Sequence, residues 1–169
     1  MGESKSFPLP VVFCFLLCGD RVLLFRRMTP PWSGSVTVPG GRKERGETAG
    51  EACIREMEEE TGYRLKTVKL RGIAHIVSGE TEATGYYFSS RDFEGDLKES
   101  SEGMPFWCGM KESYSVGGVN PFYSLLAPVI LDESSPLFEA KIASDEKGIL
   151  RSSFSIAETG CFVQGASMR

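Results

Sequence analysis

The chain has 169 residues, of which 41% are hydrophobic and 25% are charged. This length suits one compact domain, and no linker or composition shift divides it, so we expect a single domain over residues 1–169 with peripheral tails at 1–7 and about 158–169. The net charge of −4 argues against a mainly electrostatic grip on nucleic acid, which needs a clustered basic face.

The five cysteines are spaced without a CxxC pair, and the chain has one histidine. They predict free thiols in a reducing cytoplasm, with a disulfide or metal fragment at Cys14 and Cys18 as the alternative. The most apolar run, from Val11 to Cys18, is too short to span a bilayer. We therefore expect a cytoplasmic protein with no membrane partner and no stable nucleic-acid partner.

Two β-strands are predicted near the start, from Leu9 to Cys18 and from Arg21 to Arg27, on either side of a tight turn. Their nearly continuous hydrophobicity predicts a central position in a sheet that is covered on both faces. Residues 28–34 contain two adjacent prolines and predict a loop. A short extended piece from Ser35 to Val38 follows, and the Pro-Gly-Gly at 39–41 ends it sharply.

A helix is predicted from about Ala49 to Thr61. Thr48 is its expected N-cap, Glu51 completes a capping box three residues later, and Gly62 stands where a C-terminal cap belongs.

The apolar residues and the glutamates of this helix are expected on neighbouring arcs. The arc that packs on the sheet holds Gly50, Cys53, Ile54 and Met57. The adjacent arc holds Glu56, Glu59 and Glu60. Such a glutamate cluster costs a few tenths (~0.3) of a kcal/mol per like-charged pair, and a solvated acidic face is its ordinary meaning.

Beyond the helix, alternating segments predict strands from Leu65 to Val77 and from Glu82 to Ser89. The acidic residues 91–103 predict a loop, and Pro105 to Gly109 is a short apolar piece. The pair Asn120-Pro121 opens either a last helix or a turn.

The end of the chain predicts a closing hairpin, with strands from Leu137 to Ala143 and from Ile149 to Ile156 around a turn at 144–148.

The stretch from Gly41 to Tyr63 changes the interpretation of the glutamates. Its residues match every specified position of the Nudix box: Gly41, Glu47, Arg55, Glu56, Met57, Glu59, Glu60, Gly62 and Tyr63. The chain thus resembles the Nudix hydrolases. The resemblance implies an α/β fold, an α/β/α sandwich with a mixed central sheet, in which a loop-helix-loop motif binds Mg²⁺ or Mn²⁺. It also implies hydrolysis of a nucleoside diphosphate linked to another group, by water attack on phosphorus.

The resemblance also implies roles for residues of the box. Glu56, Glu59 and Glu60 are the expected metal ligands, and the Gly41 carbonyl is a possible further ligand. Arg55 and Glu47 are expected to orient these carboxylates, because an arginine can hold a carboxylate through two charge-assisted hydrogen bonds. Among the glutamates we prefer Glu56 as the general base.

Outside the box, the chain resembles the MutT-like nucleoside triphosphate pyrophosphohydrolases, including those that remove 8-oxo-dGTP. Arg27 stands where such enzymes have a phosphate-contacting arginine, and a solvated strand-end cation is the alternative. Glu102 resembles a downstream metal-binding glutamate, with Glu99 or an ordinary acidic loop as alternatives. Asn120 stands near the position of a purine-reading residue, although Asn before Pro is also a turn signal.

Two tryptophans complete the expected substrate pocket. Trp32 is a candidate to stack on the base, with packing or simple surface placement as the alternative. Trp107 lies in the strand that follows the Glu102 element. The expected reaction is metal-dependent hydrolysis of a nucleoside triphosphate, including an oxidised one, to the monophosphate and pyrophosphate. Hydrolysis of ADP-ribose or a dinucleoside polyphosphate, and a non-catalytic module that binds a nucleotide, RNA or protein, remain alternatives. We expect a monomer or homodimer.

Overall fold

The computed structural model describes residues 7–145, 150–158 and 161–164. The tails expected at 1–7 and 158–169 lie largely outside the described residues, and so does most of the turn expected at 144–148.

A mixed sheet runs through the molecule. The described strands are, in chain order, β1 (Leu9–Cys18), β2 (Arg21–Arg27), β3 (Val36–Thr37), β4 (Gly40–Arg42), β5 (Arg64–Leu65), β6 (Lys69–Ser78), β7 (Thr81–Ser90), β8 (Phe93–Glu94), β9 (Gly103–Gly109), β10 (Phe138–Ser144), β11 (Leu150–Glu158) and β12 (Cys161–Gln164). Ten of them form one sheet with the order β12-β11-β10-β6-β7-β1-β2-β3, in which β4 also pairs with β1 and β9 with β2. The strands β5 and β8 form a separate antiparallel ribbon.

Strand β1 lies inside this sheet, between β7 on one side and β4 and β2 on the other. It pairs in parallel with β7 from Leu9 to Leu16. Along its other edge it pairs first with β4, where Val12 lies opposite Gly41, and only at Leu17 and Cys18 with β2. The predicted hairpin is therefore confirmed but short. This change of partner brings β4, and with it the start of the glycine-rich segment, against the middle of β1.

Two helices cover opposite faces of the sheet, α1 (Ala49–Thr61) and α2 (Pro121–Leu131). Successive side chains of a strand point to opposite faces, so β1 contributes to both cores. The core under α1 contains Val12, Cys14, Leu16, Leu23, Ala52, Cys53 and Met57. The core under α2 contains Phe15, Leu17, Val22, Leu24, Tyr123, Leu126 and Ile130. The predicted sandwich with a mixed, two-sided sheet is confirmed.

Helix α1 begins and ends where the sequence predicts. The Thr48 hydroxyl accepts the Glu51 N–H, the Glu51 side chain accepts the Thr48 N–H, and Gly62 ends the helix with φ 76°. The predicted arcs are wrong for Glu60, which is only 4% exposed. At about 100° per residue, Glu60 lies within about 20° of Cys53 and therefore on the packed face.

Several short elements differ from the prediction. The loop expected at 91–103 contains β8, and the strand expected from Leu65 to Val77 is divided into β5 and β6. The short extended piece ends before Pro39, as expected, but Gly40 and Gly41 then begin strand β4. Asn120 does open a helix, as one of the two alternatives, and α2 continues to Leu131 with Pro128 inside it. Within the part of the chain that the structure describes, no helix is long and apolar enough to cross a membrane.

Candidate active site

Gly41 and Glu56 lie directly against each other. A Cβ on Gly41 would collide with the carboxylate of Glu56, so the absence of a side chain lets β4 approach helix α1. The neighbouring Gly40 N–H donates to Glu60 Oε2 at 2.7 Å. The glycine-rich strand is thus in contact with two of the three helix glutamates and is hydrogen-bonded to one of them, Glu60.

Arg55 organises the outer side of the site. Its Nε and Nη2 donate to the two carboxylate oxygens of Glu47 at 2.6 and 3.1 Å. Its Nη1 donates to Glu56 Oε1 at 2.8 Å and to Glu59 Oε2 at 3.2 Å, and Nη2 also donates to the Arg42 carbonyl at 3.0 Å. One guanidinium therefore orients three carboxylates, the arrangement expected for Arg55 and Glu47.

The glutamates of the site differ in the direction in which their pKa values are shifted. The hydrogen bond from Arg55, followed by that from the Glu44 N–H, lowers the pKa of Glu47 to about 2. Burial raises the pKa of Glu60 to about 8, against the opposing hydrogen bond from Gly40. Burial also raises the pKa of Glu56, although Arg55 opposes this effect. Glu56 and Glu60 are thus the carboxylates with raised proton affinity.

Glu102 joins this cluster through Arg27. Arg27 Nη2 lies 3.4 Å from Glu102 Oε2, and the negative charge of Glu102 contributes to the raised pKa values of both Glu56 and Glu60. Glu102 also lines the same cavity as Glu56. Glu102 therefore lies beside the box.

This donor set fits a divalent cation. Mg²⁺ and Mn²⁺ prefer carboxylate and carbonyl oxygens, and Glu56 and Glu60 are held in like-charged, partly desolvated surroundings that a cation would relieve. Within the described part of the chain, no three acidic, histidine or cysteine side chains are already close enough to hold a metal ion. Water or phosphate oxygens would therefore complete the coordination, which is the usual way in which Mg²⁺ binds.

Two connected cavities open beside these residues. The polar cavity, of about 610 Å³, is lined by Gly40, Gly41, Arg42, Glu56, Glu102, Pro30 and Pro31. The apolar cavity, of about 280 Å³, is lined mainly by Phe15, Ile76, Ala83, Tyr87, Phe122 and Tyr123, with Asn120 and the hydroxyls of Ser35, Thr37, Ser78 and Thr81 among them. Both cavities share Val11, Phe13, Arg27 and Trp32. They form one cleft that is charged at one end and apolar at the other.

The predicted substrate residues do not all meet in this cleft. Arg27, Trp32 and Asn120 line the apolar cavity, and Trp32 is 61% exposed where the two cavities join. Asn120 Oδ1 accepts the Phe122 N–H at 2.8 Å, so this residue also caps α2.

Trp107 lies on the other face of the sheet, in the core under α1. Its Nε1 donates to the Tyr63 hydroxyl at 3.3 Å, and its ring packs against Tyr63 and Phe93. The structure does not bring Trp107 to the cleft. Its neighbour Phe106 packs on the face of the cavity, because adjacent strand residues point in opposite directions.

Sequence reasoning missed Arg42, whose side chain lines the polar cavity immediately after Gly41. A cation next to the glycine that opens the box was the available signal. The apolar lining from Ile76 and Phe122 gave no such signal, because both residues read as ordinary core positions of their elements.

Known proteins resemble this chain in sequence and in fold. The family model for the NUDIX domain matches residues 8–119, which is more than half of the chain. The chain belongs to the Nudix family. The crystal structure of the mutator MutT protein from Bacillus halodurans is similar, with a TM-score of 0.77 and 25% identity, over 86% of this chain and 97% of that one.

The Nudix relatives differ in what they are named for. The chain is 34% identical over 106 residues to the uncharacterized Nudix hydrolase YvcI of Bacillus subtilis strain 168, covering 57% of this chain and 63% of the relative. It is 43% identical over 54 residues to an ADP-ribose pyrophosphatase of Methanocaldococcus jannaschii, covering 32% of each. It is 35% identical over 89 residues to an oxidized purine nucleoside triphosphate hydrolase of Danio rerio, covering 52% of this chain and 57% of the relative. The chain thus spans less than two thirds of each of these relatives.

Proposed function

We propose that this Nudix protein hydrolyses a nucleoside triphosphate, including an oxidised purine triphosphate such as 8-oxo-dGTP, to the nucleoside monophosphate and pyrophosphate, with Mg²⁺ or Mn²⁺ as cofactor. One observation carries the proposal: the polar cavity with the carboxylates opens directly into the apolar cavity, and Arg27 and Trp32 belong to both. A nucleotide has the same division into a charged and an apolar end.

Residues that line the polar cavity or lie beside it divide the chemical work. Glu56, Glu59, Glu60 and Glu102 would hold the cation, and the Gly41 carbonyl is a further candidate. When bound, the cation neutralises phosphate oxygens and makes phosphorus more open to attack. Arg27 and Arg42 face the same space and bind phosphate. In the described part of the chain, Arg27 Nε is buried without a hydrogen-bond partner, so it has a donor to offer.

Glu56 is our choice for the general base that takes the proton of the attacking water. Its raised pKa brings it closer to neutral pH, where a carboxylate accepts a proton more effectively. Arg55 Nη1 donates to its Oε1, and the whole carboxylate lies against Gly41. Glu47 keeps Arg55 in this position.

The apolar cavity binds the nucleoside. Trp32 stacks on the base at its entrance, and Asn120 offers its amide N–H to a ring edge while its oxygen caps α2. Trp107 is not part of this pocket. The relative from Danio rerio, named for oxidised purine triphosphates, supports this choice of substrate.

ADP-ribose is the second candidate substrate, because one relative is named for it. That match covers 54 residues, about a third of the chain, and so gives less support than the longer matches.

A module that binds nucleotides without turnover is the third candidate. All box carboxylates are present, which favours an enzyme. The cytoplasmic location, the single domain over 1–169 and the monomeric or dimeric state stay predictions.

The test is a substrate panel with the purified protein. GTP, dGTP, 8-oxo-dGTP, ADP-ribose and a dinucleoside tetraphosphate are incubated with Mg²⁺, with Mn²⁺ and with EDTA, and the products are separated by chromatography. We expect metal-dependent release of monophosphate and pyrophosphate from a triphosphate, and none from the Glu60→Gln variant. Turnover of ADP-ribose alone would establish the second candidate, and binding without product the third.

A further inference from the structure

Two distant segments of the chain meet at the entrance of the apolar cavity, between Trp32 and Asn120. Backbone hydrogen bonds join them on either side of Val36: its N–H donates to the Gly118 carbonyl, and its carbonyl accepts the Asn120 N–H, both at 2.7 Å. Val36 also forms an isolated parallel bridge with Val119. The loop of Trp32 is therefore anchored to the segment that presents Asn120.

Arg26 adds a side-chain connection to this junction. Its Nη1 donates to the Gly34 carbonyl at 3.2 Å and to the Gly117 carbonyl at 3.1 Å. Its guanidinium lies over the ring of Phe106, 5.9 Å from the centroid. Arginine suits this position, because its planar group stacks on the ring while its N–H groups reach both carbonyls. Arg26 itself lines neither cavity among those described.

Gly118 allows the two segments to approach this closely. It has φ 83°, and a Cβ at this position would collide with the Gly34 carbonyl oxygen. Any other residue would force the loop of Trp32 away from the segment of Asn120. The close approach and the Arg26 contacts are thus two independent features that fix the same spacing.

We infer that Arg26 is a positioning residue that sets the separation of Trp32 from Asn120, and so governs the affinity for the base without touching it. The identity of the ligand rests on the proposed function, but the spacing does not. Because Glu56 and Glu102 line the other cavity, loss of Arg26 weakens binding and leaves the chemical step intact. The role of Arg26 thus differs from that of its neighbour Arg27, which lines both cavities and is proposed to bind phosphate.

Steady-state kinetics with the preferred triphosphate test the role in binding. Arg26→Ala removes both hydrogen bonds, to Gly34 and Gly117, and we expect KM to rise about tenfold with kcat changed less than about twofold. Gly118→Ala is expected to shift KM in the same direction. Arg21→Ala is the matched control, since Arg21 is on the same strand and also lies over an aromatic ring, at 5.6 Å from Trp107 on the opposite face. It should leave both constants unchanged.

A second measurement needs no substrate. Protein labelled with 5-fluorotryptophan gives two ¹⁹F resonances, for Trp32 and Trp107, which Trp32→Phe assigns. Arg26→Ala and Gly118→Ala should move or broaden the Trp32 resonance and leave Trp107 in place, which also shows that each variant is folded. Arg21→Ala should affect Trp107 alone.

The outcomes separate this inference from the proposed function. If no triphosphate is hydrolysed but the Trp32 resonance responds to Arg26→Ala, the proposed substrate is wrong and the positioning role stands. If the Trp32 resonance of both variants coincides with that of the wild type, or if kcat falls while KM is unchanged, the positioning role is overturned.

Discussion

Arg55 binds both carboxylate oxygens of Glu47, with Nε donating to Oε1 at 2.6 Å and Nη2 to Oε2 at 3.1 Å. The pair sits outside the carboxylates that face the cleft, and its effect is to limit the orientations of Arg55. The same guanidinium holds Glu56 and Glu59. The geometry of the proposed base therefore depends on a residue that does not itself line the cleft.

Replacing Glu47 by Gln should lower kcat by about 10- to 100-fold at saturating Mg²⁺, the range found when a partner that orients a metal ligand is lost. The fold should be unaffected, as judged by circular dichroism. Glu58→Gln is the control on the same helix, because Glu58 pairs with Arg64 away from the cleft. Equal loss in both variants would show a general effect on α1 rather than a role for Glu47.

The same pair makes a prediction about pH. The folded-state pKa of Glu47 is lowered to about 2 from an ordinary value of 4.5. A carboxyl group with a lowered pKa stabilises the folded state above its unfolded-state pKa, and this stability is lost as the pH falls through the folded-state value. The melting temperature of the wild type should exceed that of Glu47→Gln at pH 6, and the difference should shrink between pH 4.5 and 2. A difference in melting temperature that stays constant over this pH range would show that the Glu47 carboxylate is not its cause.

Removal of a proposed metal ligand should affect turnover more strongly than removal of Glu47. Glu59→Gln and Glu60→Gln are expected to lose more than about 100-fold in kcat, beyond the range for orienting partners, with the fold intact. Glu60→Gln keeps an oxygen that can accept the Gly40 N–H, so the loss in kcat measures the effect of removing the negative charge. Kinetics across a Mg²⁺ titration measure this, and wild-type activity at saturating Mg²⁺ would remove either residue from the metal site.

Asn120 caps α2 and has a separate, proposed role in contacting the base. Asn120→Asp retains an oxygen that accepts the Phe122 N–H and loses the amide donor, so it should keep the melting temperature and change the ratio of kcat/KM between GTP and ATP. Asn120→Ala also loses the helix cap and should cost about 1 kcal/mol of stability. An unchanged ratio in Asn120→Asp would show that Asn120 does not contact the base.

The two tryptophans should give opposite results. Trp32→Ala is expected to raise KM without lowering stability, because the side chain is 61% exposed and lies at the cleft. Trp107→Ala should cost about 2–3 kcal/mol of unfolding free energy, less than for a fully buried tryptophan, through lost packing with Tyr63 and Phe93. Urea denaturation and steady-state kinetics on both variants measure this. A stable Trp107→Ala variant with raised KM would return Trp107 to the substrate pocket.

What the sequence could predict depends on how local the signals are. Helix α1 was predicted to its end residues because its caps and its apolar period lie within the segment itself. The prediction for Glu60 is wrong because it follows the charge of the side chain. The helical period puts a residue seven positions after Cys53 on the same, packed face of α1. The ribbon of β5 and β8 was missed because two-residue strands are defined by a distant partner.

In the site, too, the sequence predicts what a local motif specifies and misses what depends on distant partners. The box carboxylates were found because the motif specifies them, and the structure places Glu56 and Glu60 against the glycine-rich strand. Trp107 was assigned to the pocket by its place in the sequence, while strand alternation turns it to the other face. Arg26 was missed because one of its carbonyl partners is 91 residues away.

The division of the cleft has a consequence for how such a protein can change its substrate. The charged end is built around residues 40–56 and Glu102, and the apolar end around strands β6 and β7 and the start of α2. Substitutions at Ile76 or Phe122 should therefore reshape the space proposed for the base without disturbing the carboxylates proposed for catalysis. Under the proposed function, specificity and reactivity come from different parts of the chain, so selection can alter one while retaining the other.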